Sequence, residues 1–111
     1  MEIALRREPH FVIVDMVGEL DVNAVSRIRD TLTDLTKAAS PQIVVNLARA
    51  TYIDSSGLGV LMGARREALK RGGRLALCGM TKDVRMVFEL TRLNKFFEIY
   101  DDEAAARARF G

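Results

Sequence analysis

Phe11-Val12-Ile13-Val14-Asp15-Met16-Val17 is a mostly apolar, β-branched run closed by Gly18, and it predicts a buried strand. Ile3–Arg7 reads as a shorter strand, hairpinned to it through Glu8-Pro9-His10. The rhythm then changes. After Asp21, a candidate helix N-cap, Val25, Ile28, Leu32, Leu35 and Ala39 recur at steps of three and four, which places them on one helical face. Ser40-Pro41 stops that helix.

Gln42–Leu47 predicts a second buried strand, followed by a loop from Ala48 that leads to Asp54-Ser55-Ser56-Gly57. A helix runs from there to the strong stop at Gly72-Gly73. Arg74–Cys78 is the next strand, Thr81 caps a helix carrying Val84, Val87, Phe88 and Leu90, and Phe96–Tyr100 is a last strand. Asp101-Asp102-Glu103 opens a short terminal helix. Strands alternating with about four helices predict one α/β domain over residues 1–111, with a mostly parallel central sheet and an N-terminal antiparallel hairpin. Right-handed crossovers put the Asp54–Gly57 turn at the carboxyl end of a central strand, where α/β proteins keep their sites.

Composition narrows the possibilities. The chain has 111 residues, 49% of them hydrophobic and 29% charged, the balance of a folded soluble domain. Its single cysteine, Cys78, cannot form an internal disulfide, and no signal-like start or membrane-length apolar run occurs, so a cytoplasmic protein without membrane insertion is expected. The net charge is only +2, and the one basic cluster, Arg65, Arg66, Lys70, Arg71 and Arg74, has no interleaved aromatics. No nucleic-acid partner is expected. One His (His10) and one Cys make no metal site, and no cofactor is expected.

The chemistry concentrates in Tyr52-Ile53-Asp54-Ser55-Ser56-Gly57-Leu58-Gly59. Ser55 or Ser56 could simply cap the helix, which is worth about 1 kcal/mol. A helix start would equally accommodate a phosphate, because its N–H groups and dipole favour anions. On a helical wheel Leu58, Leu61, Met62, Ala68 and Leu69 form the core side, while Ser56, Gly59, Val60 and Gly63 lie away from it. Each mid-helix glycine costs on the order of 1 kcal/mol relative to alanine. Either Gly59 and Gly63 pack against a loop of the same domain, or they form a smooth groove for a partner's backbone.

Asp54-Ser55-Ser56-Gly57-Leu58-Gly59 resembles the phosphorylation motif of bacterial anti-sigma factor antagonists, members of the STAS-domain family, and Gly18-Glu19-Leu20-Asp21 resembles their second signature. The resemblance implies that Ser55 accepts a phosphate and that Asp21, Asp54, Ser56 and Gly57 belong to a partner surface, to which the wheel adds Gly59, Val60 and Gly63. It also implies the partners: a serine-kinase anti-sigma factor and a metal-dependent serine phosphatase. An alternative within the family is a non-catalytic subunit or scaffold of a lipid-transport, stress-sensing, secretion or phosphatase-controlling assembly.

Enzyme readings fare worse. Gly57-x-Gly59-x-x-x-Gly63 lacks the downstream acid of a dinucleotide site, and the chain is too short for both halves of such a fold. A serine hydrolase would need a base, and His10 is far along the chain from Ser55, with no G-x-S-x-G elbow.

Overall fold

A computed structural model describes residues 1–111. The elements follow in the order β1 (Glu2–Arg7), β2 (Val12–Leu20), α1 (Val25–Leu35), β3 (Gln42–Ile53), α2 (Ser55–Lys70), β4 (Arg74–Cys78), α3 (Lys82–Leu90), β5 (Glu98–Tyr100) and α4 (Glu103–Phe110). A short 3₁₀ turn, Leu93–Lys95, precedes β5. The strands pair in sequence order, β1-β2-β3-β4-β5, with β1–β2 antiparallel and the rest parallel.

Two-residue alternation decides which helix each strand residue meets. Val12, Val14 and Met16 of β2, Ile43, Val45 and Leu47 of β3, and Leu75 and Leu77 of β4 face a 24-residue core beneath α1, α2 and α3. Their alternates Ile13, Val44, Ala76 and Cys78 face the opposite way, onto Ala106 and Phe110 of α4. Both faces are covered, so the central strands read as continuous apolar runs.

The α4 face depends more on charge. Arg6 binds Asp15 and Glu103, each at 2.6 Å, while Arg107 binds Glu103 and Glu8, each at 2.8 Å. Arg6, and secondarily Arg107, hold the Glu103 carboxyl down at about 2. Asn46 donates to Asp15 at 2.8 Å, and Cys78 lies wholly buried beside Asn46 with its thiol pushed up to about 11 by desolvation. A thiol so placed is an inert packing group.

Several boundaries depart from the sequence reading. β3 does not end in a loop at Ala48 but runs on to Ile53. Register shifts against β2 break its alternation, so Ala50 and Ile53 are buried while Ala48, Arg49, Thr51 and Tyr52 are exposed. β2 likewise passes through Gly18, at φ +108, to Leu20. α1 begins only at Val25, and its N-cap is Ala24, so Asp21 is not the helix cap. Asp21 instead accepts the Asn23 backbone N–H at 3.0 Å, closing a turn before the helix. Leu69, assigned to the core side of its helix, is 47% exposed. At the other end of α2, Gly72 donates to Leu69 O at 3.0 Å and Gly73 to Ala68 O at 2.8 Å, a Schellman stop. No helix is long and apolar enough to cross a membrane.

Candidate functional site

β2 and β3 are parallel neighbours, and their last paired residues are Leu20 and Ile53. Asp21 and Asp54 therefore leave the sheet from neighbouring strand ends. The Asp54 N–H donates to Leu20 O at 3.3 Å, which ties the two ends together. Neither carboxylate takes part in any of the molecule's ion pairs.

Asp54 caps α2. Its Oδ1 accepts the backbone N–H of Ser56 at 2.9 Å and of Gly57 at 3.1 Å. The capping reading for Ser55 and Ser56 is thus overturned, because the helix starts one residue earlier than it requires and the cap is the Asp54 carboxylate. Ser55 is exposed, stands at the first helical position and forms no side-chain hydrogen bond; Ser56 is half-buried. The free hydroxyl follows from the cap.

Gly57 has a different task from the one expected. It is buried, and a Cβ there would lie 2.4 Å from Leu20 O and 2.9 Å from Ile53 Cγ1. Its missing side chain lets the helix start sit against the end of β2. Val60 also departs from expectation. It is 8% exposed and packed in the core, not on the outer face, because α1 lies alongside α2 there. A Cβ on Gly59 or Gly63 would meet nothing within 4 Å, so neither glycine packs against a loop of this domain.

Between α1 and α2 runs a groove of about 590 Å³. Ser55 and Ser56 stand at its head, Gly59 and Gly63 form one wall, and Val25, Leu32, Val60 and Ala64 supply apolar lining. The sheet, its strand order and this helix start have clear counterparts among known proteins. The STAS domain family matches residues 2–106.

The chain belongs to the STAS domain family. It is 30% identical over 109 residues to the anti-sigma F factor antagonist of Paenibacillus polymyxa, covering 96% of this chain and 93% of that one. Among solved structures it is similar to the anti-sigma factor antagonist SpoIIAA in its unphosphorylated form, with TM-score 0.79, 32% identity, and coverage of 97% of this chain and 96% of that one. The Bacillus cell fate determinant SpoIIAA in its phosphorylated form matches with TM-score 0.74 and 28% identity, over 96% and 98% of the two chains.

The STAS domain also exposes residues around this helix start to which the sequence reading gave no role of their own. Val22, beside Asp21, is 65% exposed, and Tyr52, two residues before Asp54, is 49% exposed. Arg29 of α1 lines the groove opposite the glycines. Its legible signal is a spacing of four from Val25, which puts both on one helix face. The expected basic cluster is dispersed instead. Arg65 lies over the Phe96 ring at 4.3 Å, Arg71 is bonded to Glu67 at 3.1 Å, and Arg74 pairs with Glu98 on the α4 side of the sheet.

Proposed function

We propose that this STAS domain is an anti-sigma factor antagonist, itself without catalytic activity, that is switched by phosphorylation of Ser55. In this reading the unphosphorylated domain binds a serine-kinase anti-sigma factor in the cytoplasm and thereby releases a sigma factor. The contact surface comprises Asp21, Val22, Tyr52, Asp54, Ser56 and the outer wall of α2. The observation that carries the reading is the Ser55 hydroxyl, exposed and unbonded because Asp54 caps the helix in its place. Relatives named as anti-sigma factor antagonists support the choice of pathway.

The kinase would transfer the γ-phosphoryl group of ATP to the Ser55 oxygen, with ADP leaving and the hydroxyl proton passing to a base on the kinase. A phosphoserine adds about −1.5 to −2 charge at neutral pH, next to Asp54 and Asp21, which have no paired cation. Within a close interface that charge repels partner acids and is costly to desolvate, so the complex opens. A metal-dependent phosphatase would hydrolyse the ester and restore binding. Intact-mass analysis with ATP and a candidate kinase tests this: a gain of about 80 Da, one phosphoryl group, is expected and must vanish in Ser55→Ala. A gain that persists in Ser55→Ala, or none with the genomically neighbouring kinases, overturns the reading.

A further inference from the structure

Whatever occupies the α1–α2 groove must match an uneven charge pattern. Its lining carries three cations, Arg29, Lys37 and Arg71, and one acid, Glu67. Glu67 is engaged by Arg71 at 3.1 Å and lies 4.0 Å from Lys70. Arg29 makes no ion pair, and Lys37 has only an exposed neighbour, Asp34, at 3.4 Å. Such surface pairs hold their partners weakly. The head of the same surface is opposite in sign, with Asp21 and Asp54 both free of cations. The docking face is therefore bipolar: acidic at the sheet end and basic along the groove.

The groove's shape adds a second constraint. The half-buried Val25 offers apolar contact, with the buried Leu32, Val60 and Ala64 behind it, and the open space over Gly59 and Gly63 admits a backbone at close range. Mid-helix glycines facing empty space contribute nothing to this domain's own packing, so their benefit lies in what approaches from outside.

We infer that the groove receives an apolar segment of the Ser55 kinase that carries carboxylates, which meet Arg29 and Lys37. This rests on the proposed phosphorylation switch and adds the mechanism of release. A phosphate on Ser55, at the groove's head, repels those carboxylates and competes with them for the unpaired guanidinium of the same groove, Arg29. Displacement then needs no change of fold, only an anion supplied from within.

The test uses the full chain, the kinase identified by the Ser55 mass gain and a non-hydrolysable ATP analogue, with affinity measured by calorimetry at two salt concentrations. Arg29→Glu with Lys37→Glu should weaken binding about tenfold or more and flatten its salt dependence. Gly63→Leu should weaken it by a similar factor of about ten while the melting temperature holds or rises, since leucine favours helix and meets open space. Lys82→Glu, on α3, should stay within about twofold as a control for general charge effects. Groove variants that bind like the parent while the mass gain at Ser55 persists would sink the groove and leave the switch standing. Tighter binding of the charge-reversed pair would mean a cationic occupant and overturn the inference. So would self-association of this chain that Gly63→Leu abolishes, because the occupant would then be a second copy. Absence of any Ser55 phosphorylation would instead remove the switch on which the inference rests.

Discussion

Gly57 and Gly59 lie two residues apart on α2, yet a methyl group added to the first would sit 2.4 Å from Leu20 O, while one added to the second would meet nothing within 4 Å. The inner side of the helix uses glycine to close the fold, and the outer side uses it to stay open. Sequence alone gives the two positions the same letter. Their surroundings separate the positions this helix needs for the fold from those it leaves open, because a change on the outer side leaves the core contacts of Leu58, Leu61, Ala64 and Ala68 in place.

The comparison can be broken most severely from the inner side. Gly57→Ala forces a carbon against backbone and should cost about 3 kcal/mol, read as a lower midpoint in chemical denaturation. A stability loss of less than about 0.5 kcal/mol would mean that the helix start yields easily and that the close approach is not a constraint. Asp54→Ala removes the acceptor for two N–H groups and should cost about 1–2 kcal/mol by the same measurement. Gly59→Ala should do the reverse on the outer side. It should stabilise the domain by about 0.5–1 kcal/mol and raise its melting temperature while weakening the kinase complex.

Acid offers a separate probe, of the α4 face. Glu103 has a folded-state value depressed from 4.5 to about 2, so its contribution to holding α4 is complete above 4.5 and fades as the pH falls toward about 2. Hydrogen exchange should then report loosening of α4 as the pH falls from 4.5 toward about 2. Ser55→Asp should have the smallest effect on stability, within about 0.5 kcal/mol, because the side chain is exposed and a carboxylate suits the first turn of a helix. Its kinase affinity should nevertheless fall. A large destabilisation by this variant would mean that the hydroxyl is part of the fold after all.

Much of the architecture was legible because both faces of the sheet are covered. β4 is read residue for residue as Arg74–Cys78, and the Thr81 cap of α3 stands where its hydroxyl accepts the Val84 N–H at 3.4 Å. The far half of β3 was not legible, because register shifts replace alternation with a spacing of three between Ala50 and Ile53. Ser55 could be found from its motif, but not its freedom from capping, since Asp54 and the two serines are all good caps by type. Val60 was misplaced because a helical wheel knows one helix, whereas the burial of Val60 comes from α1 lying beside it. The groove and the place of Arg29 in its lining were hidden for the same reason: they belong to a pair of helices, not to either alone.

The bond from the Asp54 N–H to Leu20 O makes the two acid-bearing strand ends one rigid mount. On the proposed switch, information written on Ser55 would be stored in a covalent ester and not in a shape, so it would outlast any thermal fluctuation of the domain. Erasing it would then require an enzyme, and the signal's lifetime would be set by whichever phosphatase can find that exposed corner.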